Sequence, residues 1–218
     1  MCHVAVQILL LVFLNESVIL AAMDDDITHS QTDRWFQALS NHFLIAMPGL
    51  TSPHFFQSVV YICEHNDDGA IGLVINHPIN ITLGELFSQM DLEHNSDIGS
   101  TPLFSGGPVH TERGFVLHSS EKSWESTFSL SDDIGITASK DILVDMARNS
   151  GPAKFLVALG YASWGAGQLE HEMGTNSWLT VPADKHIVFD TLIEQRWTAA
   201  ALPLGVDMNL MTHQAGHA

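Results

Sequence analysis

The stretch from Phe155 to Glu170, FLVALGYASWGAGQLE, constrains this chain more than any other. It reads as an apolar run, a glycine-broken turn and then a helix start, the pattern of a buried strand that delivers the chain to a helix N-terminus. Gly160, Gly165 and Gly167 would relieve Cβ crowding in the tight turn. Such a corner either holds an anion on the free N–H groups of the helix start or lets backbone pass close to backbone.

The 218 residues suffice for one domain with a sizeable core, and 45% hydrophobic against 15% charged residues places the chain among well-packed globular proteins. Charge is the most informative bulk property. Eight Lys and Arg stand against 25 Asp and Glu, a formal net charge of -17. The basic residues Arg34, Arg113, Lys122, Lys140, Arg148, Lys154, Lys185 and Arg196 are scattered, so no segment offers clustered phosphate neutralisation. Direct nucleic-acid binding and an anionic membrane surface are both disfavoured. Of the two cysteines, Cys2 lies in a segment expected outside the fold, and a lone Cys63 fits a reducing cytoplasm.

The apolar run Val4 to Leu14 is shorter than the roughly 20 residues of a membrane span, and it lacks the basic start and small-residue cleavage site of a secretory signal. The preferred reading starts translation at Met23 and leaves residues 1–34 as an extension outside the fold; the alternative is a hydrophobic anchor or export signal. Residues 42–47 and 58–65 read as strands, and Asn66-Asp67-Asp68-Gly69 as the turn that returns residues 70–76 as a hairpin partner. Thr82 to Glu85 has capping-box spacing. Residues 102–109 and 114–120 read as two strands joined by a connection carrying Gly106, Gly107, Pro108 and Arg113. A strand pair or a bent strand over residues 126–139 follows, then a helix at 140–148 capped by Ser139 and a parallel crossover into the Phe155 strand. Residues 168–173 read as a short helix, 177–182 as a strand and 191–202 as a helix.

The motifs HFLIAMPGL, SVVYICEHN, GAIGLVINHP, LFSGGPV, RGFVLHS, the run from Gly151 to Glu170 and the closing AGHA together resemble the YqgE/AlgH family of bacterial proteins. The resemblance covers residues 35–218, co-linear throughout, and it supports a start at Met23. It implies an α/β (α+β) fold, a single domain with a strongly bent mixed β-sheet flanked by helices, and a cytoplasmic location. The AlgH name carries a role in transcriptional regulation. The resemblance brings no catalytic residue and no cofactor.

Several residues invite chemical readings. Ser163 lies near a nucleophile-elbow spacing, but Gly160 is displaced from Gly-x-Ser-x-Gly and no Asp or His is assigned to activate it. Strand alternation puts Tyr61, Cys63 and His65 on one face, which would suit a thiolate beside a histidine; a buried Cys acting as a small hydrophobe is the alternative. Glu170-His171-Glu172 cannot close around one metal ion, since adjacent helical residues point about 100° apart, and it reads as a solvated helix face. His110 and His118 are further ligand types without a metal motif, and no metal is expected. Gly106, Gly107 and Arg113 could form an anion nest or a plain glycine-rich connection. With Ser163, Trp164, Gly165, Gly167 and Gln168 they make up the ligand-binding candidates. Two functions follow. The first is a non-enzymatic regulator acting through a protein partner or small anionic ligand; the second is a small-ligand binder or thiol-dependent enzyme using the Gly160–Glu170 corner and Cys63.

Overall fold

The computed structural model describes residues 39–208, 210 and 211. The Val4–Leu14 run, Met23 and the closing AGHA lie outside the described residues. In chain order the elements are β1 (His42–Ala46), β2 (Val59–Asn66), β3 (Gly69–Val74), β4 (Pro78–Thr82), α1 (Leu83–Gln89), α2 (Ser96–Gly99), β5 (Pro102–Ser105), β6 (Val109–Ser119), β7 (Thr127–Ser129), β8 (Ile134–Thr137), α3 (Asp141–Ala147), β9 (Phe155–Gly165), α4 (Gln168–Gly174), β10 (Trp178–Pro182), α5 (Lys185–Phe189) and α6 (Arg196–Ala201). Short 3-10 turns, Ile193–Gln195 and Leu202–Leu204, flank α6. The fold is α+β with mixed strand pairing, as expected. Contacts divide the chain into two compact units that share β9, whose residues through Tyr161 belong to one and those from Ala162 to the other.

In the unit of residues 78–161, β9 lies antiparallel to β6, with Val116 opposite Val157, and parallel to β5, with Phe104 opposite Ala158. The expected crossover from β8 to β9 takes a different form. Both strands pair antiparallel to β6, so they point the same way with β6 between them. The parallel hydrogen-bonded partner of β9 is β5. Apolar residues of α1 and α3, among them Leu86, Phe87, Ile142 and Met146, pack with Leu103, Val116 and Val157 into one core. Each such side chain contributes about 1.5–3 kcal/mol on burial.

Local chemistry fixes where these helices start. At α1 the capping box forms: Glu85 N donates to Thr82 Oγ1 at 3.3 Å and Thr82 N to Glu85 Oε2 at 2.8 Å. Ser139 does not cap α3. The helix begins at Asp141, and Ser139 Oγ instead donates to Asp141 Oδ1 at 2.5 Å while accepting from Ser126 N at 3.1 Å. Fully buried His118 ends a directed chain of hydroxyls. Trp124 N donates to Thr127 Oγ1, the Thr127 and Thr137 hydroxyls lie 2.6 Å apart, and Thr137 Oγ1 lies 2.8 Å from His118 Nε2. Nδ1 then faces the Ser119 carbonyl at 2.9 Å, and burial holds the imidazole below its ordinary pKa and so neutral.

The Phe155 strand does not break at Gly160. β9 runs unbroken to Gly165, and Gly160 sits inside it at φ +70°. A Cβ there would lie 2.7 Å from Gly107 O and 2.9 Å from Val109 O. The glycine is therefore required twice, by its dihedral and by the backbone passing over it.

In the other unit the strand order is β10-β1-β2-β3 and the end of β9, antiparallel throughout. The β2–β3 hairpin closes as expected, with Asp68 N donating to Asn66 Oδ1 at 2.9 Å. The expected helix over residues 191–202 is instead a 3-10 turn followed by α6. Sequence reading also misses α5, whose N-cap Asp184 accepts from His186 N at 2.8 Å. Helix α6 is tied to the sheet by Trp197 Nε1, which donates to Ala46 O at 2.9 Å, and by buried Arg196, whose guanidinium donates to the carbonyls of Thr191 and Ile75.

Gly160→Ala is expected to cost about 3 kcal/mol or more in chemical denaturation, from the left-handed conformation and the backbone clash together. Gly165→Ala, where a Cβ would meet only Gln168 Oε1 at 4.0 Å, should change stability by no more than about 0.5 kcal/mol. Equal effects at the two positions would contradict this account of β9.

Candidate functional site

A β-bulge rearranges the first candidate pair. The β2–β3 register passes from Ile62 opposite Gly72 to Glu64 opposite Ile71, leaving Cys63 as the extra residue. Side-chain alternation slips by one, so His65 falls on the face of Val60 and Ile62 rather than that of Tyr61 and Cys63 as expected. Cys63 Sγ points back to Tyr61 O at 3.8 Å. Burial, with Glu64 adding, pushes its thiol pKa up to about 12. A protonated thiol is the opposite of the activated thiolate that the pairing with His65 would supply.

His65 takes a different partner. It is 5% exposed, and Nε2 lies 2.7 Å from Glu170 Oε1 on α4, while its backbone N donates to Ser40 Oγ at 3.1 Å. Opposite His65 on β3 is Ala70, and opposite Ala70 on β9 is Trp164, so all three lie on the face that α4 covers. Two residues beyond Glu170, Glu172 reaches the same face. Its Oε2 accepts the indole N–H of Trp164 at 2.9 Å and of Trp178 at 2.8 Å, and its Oε1 accepts from Gln168 Nε2 at 2.9 Å. Burial works against the charge, but donation from Trp178, Gln168 and Trp164 outweighs it and holds the carboxyl below the usual range. The Glu-His-Glu triplet is thus only in part a solvated face: Glu170 and His171 are exposed, but the two carboxylates also fasten α4 to the sheet.

Around this carboxylate the rings interlock. Phe55 stacks on Trp164 at 5.9 Å between centroids and meets Trp178 edge-on at 5.4 Å, and the two indoles are T-shaped at 5.9 Å. With Leu169 and Met173 they complete an apolar cluster on Leu44, Val60 and Ile62. Each aromatic pair adds about 0.5–1.5 kcal/mol beyond its buried area.

The remaining corner residues serve this attachment. Ser163 is exposed in the straight run of β9 opposite Ile71, so it occupies no strand-to-helix elbow. Gly165 N donates to Gln168 Oε1 at 3.1 Å, which uses an N–H that an anion would need. Gly167 is the left-handed N-cap of α4, at φ +72°. Within residues 78–161, Gly106 and Gly107 are buried, and Gly106 N donates to Leu159 O at 2.8 Å, so this N–H serves backbone packing rather than an anion nest. Arg113 lies inside β6 rather than in the connection, in the irregular stretch between Val109 and Gly114. His110 pairs with Glu112 at 2.9 Å, apart from buried His118. Phe55 and Trp178 were not among the sequence candidates, and Glu172 was weighed only as a metal ligand and set aside. The legible signal was the Gln168–Glu172 spacing, which places two side chains on one helix face.

The AlgH-like family model matches residues 43–209. A UPF0301 protein of Saccharophagus degradans is 52% identical over 183 residues, covering 84% of this chain and 90% of the relative. One from Thioalkalivibrio sulfidiphilus is 55% identical over 179 residues, covering 82% and 96%. The solution structure of the AlgH protein from Pseudomonas aeruginosa aligns with a TM-score of 0.69 at 46% identity, covering 88% of this chain and all of that one. A crystal structure of a protein from Corynebacterium diphtheriae, 18% identical at a TM-score of 0.59 and covering 80% and 94%, shares the fold.

Glu172→Gln should destabilise the protein by about 1–3 kcal/mol, because an amide cannot accept all three donors. It should also shift tryptophan emission. Since the folded carboxyl pKa lies below its unfolded value, Glu172 stabilises the fold above the unfolded pKa, and that stability is lost as pH falls through the folded value. The variant should therefore show a flatter acid limb in melting temperature against pH. Cys63 alkylation by iodoacetamide at pH 8 should run at least about tenfold slower than that of a model thiol, and an equal or faster rate would restore the thiolate reading.

Proposed function

The chain belongs to the AlgH-like family, and from that premise we propose that it is a cytoplasmic regulatory protein, acting on transcription through a protein partner rather than by touching DNA. The observation that carries this reading is the net charge of -17. Its basic side chains are few, and two of them are committed internally. Arg196 is buried on backbone carbonyls, where desolvation lowers its pKa to about 10, and Lys122 Nζ bonds Asp145 Oδ2 at 2.5 Å while lying 5.1 Å from the Trp124 ring centroid. A surface this acidic repels a phosphate backbone and attracts basic protein segments. The polar groups of α4 support the same reading: they are spent on fastening the helix, which suits a recognition module better than proton transfer.

The test is DNA binding by the full chain to random genomic fragments, at low and then physiological salt. No saturable binding at either salt is expected. Saturable binding that falls steeply with salt would show a basic face gathered by folding, and would overturn the partner reading in favour of direct contact.

A further inference from the structure

Five large apolar side chains among the described residues are exposed, and four of them flank α6 in sequence: Leu192, Leu202, Leu204 and Leu210, with Phe56 elsewhere. Along the helical run from Ile193 to Leu204, the buried residues are Arg196, Trp197, Ala200 and Ala201, which form one face at helical spacing. Advancing about 120° per residue through the 3-10 turns and about 100° through α6 puts Leu192 and Leu202 on one line opposite that face, roughly three turns apart. Their exposures, 59% and 68%, agree with that placement.

Carboxylates border this line. Asp190 and Glu194 stand exposed on either side of Leu192, Asp190 with its Oδ2 2.9 Å from His186 Nδ1; Asp207 follows Leu204, Asp184 opens α5, and Lys185 and His186 are the exposed bases of the same stretch among the described residues. Resting on the partner reading above, we propose that the outer face of this helical run, centred on Leu192 and Leu202, docks a basic amphipathic helix of a partner protein. A helix with an apolar stripe can seat side chains against two leucines three turns apart, and a lysine flanking its stripe meets Glu194. The same charges argue against a second copy. In a two-fold interface this face would meet itself and oppose carboxylate to carboxylate.

The experiment titrates the full chain into a labelled synthetic helix with leucines at helical spacing and lysines beside them, read by fluorescence anisotropy. Saturable binding at low salt is expected, weakened at least tenfold by Leu192→Glu and Leu202→Glu together. General attraction of a cationic peptide to an acidic protein would respond in the opposite direction, since both substitutions add negative charge. Binding unchanged or strengthened in the double variant therefore overturns this face. A circular-dichroism melt checks that the variant folds, and Leu192→Ala with Leu202→Ala gives a second, charge-neutral reading of the same loss. A matched peptide with glutamates in place of lysines should bind at least tenfold more weakly, and equal binding overturns the charge complementarity. A dimer in sedimentation equilibrium that the glutamate pair dissolves would assign the face to a second copy and overturn the proposal. Failure of the partner reading itself appears separately, as salt-steep DNA binding.

Discussion

Strand β9 is the constraint on which the described structure depends. Its backbone is engaged by β5 and β6 up to Tyr161 and by β3 from Ala162 onward, so many of its N–H and C=O groups are taken up by strand pairing. A strand used in this way leaves little room for side chains where other backbone crosses it. At Gly160 the carbonyls of Gly107 and Val109 occupy the space of a side chain, and at Gly69 the Trp164 carbonyl does the same. Glycines that could have lined a ligand site are thus spent on close approach of backbone to backbone.

Within residues 39–77 and 162–211, the attachment of α4 shows how charged residues can serve packing. A seven-residue helix has little intrinsic stability, and nucleation alone would not hold it. It is held by buried Leu169 and by two carboxylates that reach partners on the sheet, His65 and the paired indoles. The ionised Glu172 carboxyl accepts three hydrogen bonds from neutral donors, which offsets the cost of its partial burial. With three donors already on it and its pKa held low, this carboxyl is a poor general base.

Much of the strand order was legible because it rests on local signals: the Asn66–Gly69 turn, the capping box at Thr82 and the apolar run of β9 each act over a few residues. Helix α5 was missed because its five residues carry too little periodicity, although its Asp184 cap was visible in the sequence. The candidate site was legible only in part. Gln168, Trp164 and Gly167 were singled out from the corner, but Trp178 and Phe55 come from distant segments that nothing in the local pattern links to Glu172.

By itself the sequence determined the fold class, the family and a net charge of -17, because composition and local turn chemistry survive without knowledge of tertiary contacts. Only the tertiary structure decided what the chemical residues do. A single bulge at Cys63 shifts His65 to the other face of the sheet and gives it to Glu170, and burial keeps the thiol protonated. Register and desolvation depend on what lies across a strand or beneath a helix, and neither neighbour is adjacent in sequence.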